Sequence, residues 1–285
     1  MRTGFAGARS QGGTLMEHNT FFRRAAALVL TLVFAAAAAL QGLAVYPMPI
    51  QTATETEAVY LFNADTGKTL LTQNADQPRY VASLTKMMTA LLLLESGKDL
   101  NGEVTVPTDL TQEFKDIQNA NGTTMGLRIG ETVRRIDLLN ALLITSANDA
   151  ASVIAWDVGG SLNAFIQQMN ARAAELGCTS ATFTCAHGLY DYGNVASAED
   201  MAKIAAACAA NETFAQVAGS TTYTLGQTNF HSEQRTISSS NPLMDASGAY
   251  YKDSVKWVKG GFTTLAGRCA VAVSYTHLRA TRRVV

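Results

Sequence analysis

Charge is scarce in this chain and almost evenly balanced. Of its 285 residues, 16% are Asp, Glu, Lys or Arg, and 22 basic against 23 acidic side chains leave a net charge of −1. Such a surface has no basic field for a phosphate backbone, which excludes nucleic acid as a partner gathered by long-range electrostatics. The four cysteines have no metal-ligand spacing, and neither a metal nor an organic cofactor is expected. Glycine and proline, at 22 and 5 residues, are unexceptional, and no internal repeat or low-complexity tract occurs outside an alanine-rich leader. What the chain does have is apolar side chains: 47% of it is hydrophobic, ample for a sizeable core and one or two domains.

An uncharged apolar run lies near the N-terminus. Arg23-Arg24 precede residues 25–40, and Gln41-Gly42-Leu43-Ala44 come next. That is the order of a positive segment, an apolar segment and a small-residue cleavage site near Ala44. The run is shorter than the roughly 20 apolar residues of a spanning helix, so a signal peptide over residues 1–44 is preferred to an uncleaved anchor. Met16 would begin a leader of ordinary length. Residues 45–57 read as a linker, and the bulk of the chain is expected to be exported. In an exported protein Cys178 and Cys185, which flank a short segment, are candidates for a bridge. Cys208 and Cys269 are expected to be buried as small hydrophobes.

Chemistry concentrates in three short segments. Ala82-Ser83-Leu84-Thr85-Lys86 places a hydroxyl and an amine three residues apart, just before the apolar run from Met87 to Leu94. If that run is a helix, positions i and i+3 share a face. Ser83 and Lys86 then point the same way from its first turn, where backbone N–H groups and the positive end of the macrodipole gather. The site favours a developing anion and disfavours an extra cation, which suits a serine nucleophile with a lysine base. Taken alone, the spacing also fits an N-cap serine and a surface lysine.

Ser146-Ala147-Asn148 lies between two apolar stripes, Ile136, Leu138, Leu139, Leu142 and Leu143 before it and Ala150, Val153, Ile154 and Val158 after it. A hydroxyl and an amide between buried helices can bind a substrate amide or relay a proton; the alternative is a helix cap. Lys259-Gly260-Gly261-Phe262-Thr263 comes after the alternating stretch 254–258. Paired glycines let a backbone approach an extended substrate closely, the alternative being an ordinary Gly-Gly turn.

Together, and in this order, the three segments resemble the Ser-x-x-Lys, Ser-Asp-Asn and Lys-Thr-Gly motifs of penicillin-binding proteins and class A β-lactamases. The chain most resembles the D-alanyl-D-alanine carboxypeptidases, the low-molecular-weight penicillin-binding proteins. Residues 58–63 with Thr66-Gly67-Lys68 are similar to that family's first hairpin. Thr124-Met125-Gly126-Leu127 with Gly130-Glu131 resembles the approach to the second motif, and Phe183, His187-Gly188-Leu189 and residues 197–204 resemble the stretch after that motif. The resemblance covers about residues 55–274. In one place the chain departs from it: Gly260 stands where the family has threonine, so a hydroxyl that helps hold the substrate carboxylate is missing. Thr263 is the candidate replacement.

The resemblance implies a mixed α/β (α+β) fold of the β-lactamase/transpeptidase kind. An antiparallel sheet is flanked by helices, an all-helical subdomain is inserted, and a cleft lies between them. It implies that Ser83 is acylated, that Lys86 takes its proton and that Ser146 passes a proton to the leaving D-alanine. Asn148, Lys259, Gly260, Gly261 and Thr263 would hold the substrate, and the backbone N–H groups of Ser83 and Phe262 would form an oxyanion hole. The implied partners are a peptidoglycan stem peptide ending in D-Ala-D-Ala and β-lactams as inhibitors. Membrane contact would come through an uncleaved leader or a missing C-terminal anchor.

His187 reads as a structural loop residue, because lysine already supplies the base. A serine β-lactamase is the nearest alternative, but Asp157, Glu175, Asp191, Glu199 and Asp200 sit in no pattern that would position a deacylating water. A peptidoglycan endopeptidase shares the motifs, and an inactive cell-wall-binding homologue is the non-enzymatic alternative.

Patterning also predicts strands at 58–63 and 68–73 around the Asp65-Thr66-Gly67 turn, and a helix through Glu95 stopped by Ser96-Gly97. A capping box is predicted at Ser197-Ala198-Glu199-Asp200, and strands at 220–225, 234–238, 255–260 and 268–274. The catalytic domain is expected over 58–274. After Val273 the alternation stops and the charge turns basic. Residues 275–285 are therefore expected to be an aberrant tail on a truncated or mis-assembled C-terminus, leaving the strand near Lys259 as an exposed edge.

Overall fold

The computed structural model describes residues 57–189, 193–276 and 281–284; the expected leader and nearly all of the linker lie outside the described residues. The apolar run after Lys86 becomes the helix on which the helical body packs. Helix α1 (Lys86–Glu95) buries Met87, Met88, Ala90, Leu91 and Leu93, and with them Lys86 and Thr89. A helix covered on nearly every side belongs to a core, not a surface. It ends where patterning places the stop: the Ser96 hydroxyl donates to the Leu93 carbonyl, and Gly97 takes a φ of 71°. The four residues before it, Ala82–Thr85, form a 3₁₀ turn and not a first α-turn. In that geometry side chains i and i+3 eclipse one another.

The helical insert surrounds α1. It comprises α2 (Thr111–Asn119), α3 (Arg135–Asn140), a π-helical turn (Ala141–Thr145), α4 (Asn148–Gly159), α5 (Leu162–Glu175), α6 (Ala198–Ala210) and α7 (Glu212–Ala218). Both predicted apolar stripes face the core, with Leu138, Leu139, Leu142, Ala150 and Val153 fully buried. Ser197 caps α6 by accepting from the Asp200 N–H at 3.0 Å. The reciprocal half of the capping box does not form. The Asp200 carboxylate instead accepts from the N–H groups of Thr179 and Ser180 and from the Ser180 hydroxyl.

Both halves of the chain contribute to one antiparallel sheet, as patterning predicts. Strands β1 (Val59–Asn63) and β2 (Lys68–Gln73) form a hairpin whose turn is held by the Asn63 side chain, which accepts from the N–H groups of Asp65 and Thr66. Strands β9 (Val255–Thr263), β10 (Gly267–Thr276) and β11 (Thr281–Val284) complete the order β2-β1-β11-β10-β9. Two-stranded ladders join β3 (Arg79–Tyr80) to β6 (Val195–Ala196), β4 (Glu103–Thr105) to β5 (Thr132–Arg134), and β7 (Thr222–Leu225) to β8 (Arg235–Ser238). Helix α6 packs on β1 and β10, and α7 on β9, where Trp257 meets Phe214 edge-on with ring centroids 5.2 Å apart.

Two expectations are corrected here. Residues beyond Ser274 take part in the sheet: β10 runs on to Thr276, and β11 pairs with β10 on one side and with Phe62 and Asn63 on the other. Ladder pairing is made by backbone N–H and C=O groups, so it outlasts the apolar alternation from which the end of the strand was read. Strand β9 is still the sheet's edge among the described residues. Cys178 and Cys185 are not bridged, and all four cysteines are free. The Cys178 sulfur turns to the Asp200 carbonyl, 3.6 Å away. Cys208 is buried as expected, while Cys269 is only partly so.

Leu93→Ala at the fully buried centre of α1 is expected to cost about 2–5 kcal/mol, and Leu265→Ala at the exposed β9–β10 turn less than about 0.5. Urea unfolding of the two variants checks the ranking.

Candidate active site

The 3₁₀ turn stacks Ser83 over Lys86, and the Lys86 Nζ lies 3.0 Å from the Ser83 Oγ. The same nitrogen donates to the Asn148 Oδ1 at 2.8 Å and to the backbone carbonyl of His187 at 2.6 Å. Lys86 has no exposed surface. Three acceptors saturate an ammonium. A neutral amine has only two N–H bonds to give, and with Asn148 and the His187 carbonyl satisfied its lone pair is left for the Ser83 hydroxyl. Burial depresses the Lys86 pKa well below that of an ordinary lysine, and the positive charge of Lys259 lowers it further.

Lys259 comes from the edge strand β9. Its Nζ donates to the Ser146 Oγ at 3.0 Å and to the Gly260 carbonyl at 2.7 Å, and burial pulls its pKa down to about 7. Ser146 ends the π-helical turn with a φ of 62°, and Ala82 precedes the nucleophile with a φ of 47°. Left-handed backbone at non-glycine residues costs about 1–2 kcal/mol each, and here it accompanies hydroxyls set against the Lys86 and Lys259 amines. At Gly261 the strand touches the turn: a Cβ there would sit 2.9 Å from the Ser83 N and 3.1 Å from the Ala82 Cβ. Gly260 differs, because a Cβ added to it would meet only the Cys269 carbonyl, at 4.0 Å.

All three motifs thus converge, and two of the expected substrate-binding residues also make contacts within the protein. Asn148 is buried, with its Oδ1 taken by Lys86 and its amide donating to the Thr123 carbonyl at 2.9 Å, so it holds the amine in place. The Thr263 hydroxyl accepts from the Ala266 N–H at 3.0 Å and secures the β9–β10 turn. Phe262 is exposed, with Arg268 stacked 5.6 Å from its ring centroid.

Several supporting groups have no counterpart in the sequence patterning. The buried Asp149 carboxylate accepts from the N–H groups of Met125, Gly126, Leu127 and Ala150 and so ties the loop at 125–127 to α4. Its position directly after Asn148 was the available signal. The Asn194 amide donates to the Thr85 hydroxyl at 2.7 Å, and Thr89 donates to the Ala186 carbonyl at 2.6 Å. The His187 carbonyl that receives Lys86 carries no side-chain signal at all.

A family model described as D-alanyl-D-alanine carboxypeptidase, peptidase S11, matches residues 47–285. The chain belongs to this family. It is similar to the D-alanyl-D-alanine carboxypeptidase of Streptomyces sp. strain K15, with 33% identity over 71% of this chain and 71% of that protein. It is also similar to the D-alanyl-D-alanine endopeptidase of Escherichia coli K12 (28%; 74% and 64%) and to the Bacillus subtilis carboxypeptidase DacF (32%; 53% and 38%). The chain therefore spans less than two thirds of several curated relatives. Among solved structures, the Streptomyces K15 DD-transpeptidase superposes with a TM-score of 0.71 at 28% identity, covering 80% of this chain and 87% of that one. A Mycobacterium tuberculosis D-alanyl-D-alanine carboxypeptidase gives 0.68 at 25%, covering 82% and 85%. The fold is the β-lactamase/transpeptidase one, an antiparallel sheet with an inserted helical body.

Lys86 can act as a base only when neutral, so reactivity at Ser83 should be lost as pH falls through its lowered pKa. Lys259→Gln removes the charge that lowers it, and the acid limb of the pH profile for Ser83 modification should move to higher pH. A limb that stays put or moves down contradicts the coupling; stopped-flow modification across pH measures it.

Proposed function

We propose that this chain is a serine D-alanyl-D-alanine carboxypeptidase that removes the terminal D-alanine from peptidoglycan stem peptides. The observation that carries the reading is the fully buried Lys86 amine, held by the Asn148 amide and the His187 carbonyl 3.0 Å from the Ser83 hydroxyl. Lys86 takes the Ser83 proton as the oxygen attacks the penultimate D-alanine carbonyl. Negative charge collects on the carbonyl oxygen, facing the N–H groups of Ser83 and Phe262, donors of a kind worth about 10²–10³ in rate each. Ser146, bonded to Lys259, delivers a proton to the leaving nitrogen as the C–N bond breaks. Lys259 attracts the terminal carboxylate. Water then cleaves the ester, and β-lactams stall the cycle at the same acyl-enzyme. No metal or organic cofactor enters this scheme.

A β-lactamase needs an acid to prepare water for rapid deacylation. Among the described residues the carboxylates weighed for that task are engaged elsewhere: Asp157 with Arg135, Glu175 with Arg172, and Glu199 and Asp200 with Lys203. Asp191 lies outside the described residues. Endopeptidase and transpeptidase chemistry would share the acyl-enzyme and differ in the substrate or in what accepts the acyl group. Export to the outer face of the bacterial membrane fits a peptidoglycan substrate and the leader read over residues 1–44. Among the described residues no helix is long and apolar enough to cross a membrane.

Release of D-alanine from a pentapeptide stem, with Ser83→Ala silent and unlabelled by a fluorescent penicillin, is the expected result. Labelling that persists in Ser83→Ala, or a chain that binds stem peptide without releasing D-alanine, overturns the reading. The open space at Gly260 generates a second expectation. Gly260→Thr should be accommodated and lower KM by about threefold to tenfold through one added hydrogen bond to the carboxylate. Gly261→Ala, pressed on Ser83, should abolish acylation; steady-state kinetics of both variants decides.

A further inference from the structure

Beside the serine site lies a second group of reactive side chains that take no part in acyl transfer from Ser83. Cys185, His187 and Glu113 line a cavity of about 360 Å³ whose other walls include Ile117, Leu162 and Ile166. Glu113 projects from α2 to the His187 Nε2 at 2.9 Å and also accepts from the Ser152 hydroxyl at 2.9 Å. The Cys185 sulfur accepts from the Gly188 N–H at 3.2 Å and shares the cavity wall with His187, two residues further along the chain. The His187 Nδ1 also accepts from the Leu189 N–H, at 3.0 Å. A thiol, an imidazole and a carboxylate in series are the parts of an activated nucleophile.

Two proton arrangements fit this geometry. In one, the thiol stands beside a neutral ring protonated at Nε2. In the other, the sulfur is a thiolate, the ring carries both protons, and the Leu189 N–H loses its acceptor. Burial opposes every charge in the group, yet the contacts outweigh it. Cys185 and Glu113 hold His187 up, at about 9, while His187 draws both Cys185 and Glu113 below their ordinary values. The other three cysteines are all pushed up by burial, Cys178 to about 11. The remaining titratable groups facing Cys185 are Lys86 of α1 and, across the cavity, Asp116 of α2.

The segment that carries Cys185 is clamped against the serine site. The Ala186 carbonyl accepts from Thr89, and the His187 carbonyl accepts from Lys86. At Gly188, with a φ of 72°, a Cβ would collide with the Ala82 carbonyl. Bulk added to Cys185 therefore presses on a segment whose next residues hold the base and abut the turn of the nucleophile.

We propose that Cys185 is a second nucleophile of this protein, which exchanges with low-molecular-weight disulfides entering the cavity, and that the mixed disulfide slows acylation at Ser83. In the step itself the Cys185 thiolate attacks one sulfur of the disulfide, a new S–S bond forms, the old one breaks, and the second half leaves as a thiolate. No external oxidant is needed. The first half of the proposal is independent of the carboxypeptidase reading; the second rests on it.

The test uses the whole chain and 5,5′-dithiobis(2-nitrobenzoate), at about pH 6 and about pH 8, with modified peptides mapped by mass spectrometry. Cys185 should react at least about tenfold faster than Cys178 or Cys269, most markedly at the lower pH, where an ordinary thiol is protonated. His187→Gln should remove that preference while leaving the cysteine in place. The adduct should slow penicillin labelling of Ser83 by about tenfold or more, dithiothreitol should reverse this, and Cys185→Ser should label normally with or without the disulfide. Equal reactivity among the partly buried cysteines overturns the nucleophile, and the wild-type map alone gives that result even if a variant does not fold. Undiminished Ser83 labelling of a Cys185-modified chain overturns the regulatory half. Failure to label Ser83 in the untreated chain would count against the carboxypeptidase reading alone, because the thiol map does not depend on it.

Discussion

The fully buried amine of Lys86 is a constraint from which much of the surrounding architecture stems. A buried ammonium carries a desolvation cost of several kcal/mol unless its donors are met. Lys86 is met from three places far apart in sequence: Ser83 in its own turn, Asn148 at the head of α4, and the backbone at His187. Each acceptor is itself fixed. Asn148 is tied to Thr123, the segment at 186–188 is pinned by Thr89 and pressed on Ala82, and the turn at Ser83 is braced by Gly261. The left-handed backbones of Ala82 and Ser146 persist because packing on every side over-determines them.

Two lysines share this cleft, and burial depresses both. In a chain with a net charge of −1, two amines are set near each other out of water, and burial favours the neutral form of both. The charge of Lys259 then makes Lys86 easier to deprotonate. In the proposed mechanism Lys259 is split between attracting an anion and lowering Lys86, and its own value of about 7 would put both tasks within reach of small changes in pH.

Much of this was legible from side-chain identity. The three segments carrying Ser83, Ser146 and Lys259 could be picked out because hydroxyl, amine and amide groups at those spacings are informative, and strands at 68–73 and 255–260 show in alternation and turn residues, the second running on to Thr263 in the structure. What could not be read falls into two kinds. Backbone acceptors such as the carbonyls at His187 and Thr123 belong to no residue type, so no pattern announces them. Long-range pairing is also silent: nothing in Thr281–Val284 indicates a strand between β1 and β10, since such a strand is specified by its neighbours' free hydrogen-bonding groups. The partner of Asn148 escaped the sequence for a related reason. An amide's partner is set by tertiary packing, and here the partner is the lysine.

The groups that meet around Ser83 are strung along the chain, from the turn at 82–85 to the strand at 255–263. Contacts between such distant segments close late in folding, after the entropy of the intervening loops has been overcome. Before Asn148, His187 and Gly261 arrive, Lys86 is a hydrated cation and Ser83 an unremarkable alcohol. Chemical competence therefore comes all at once, with the last docking event. On the proposed reading, a nascent or half-assembled polypeptide would be blind to the acylating drugs expected to capture the finished molecule.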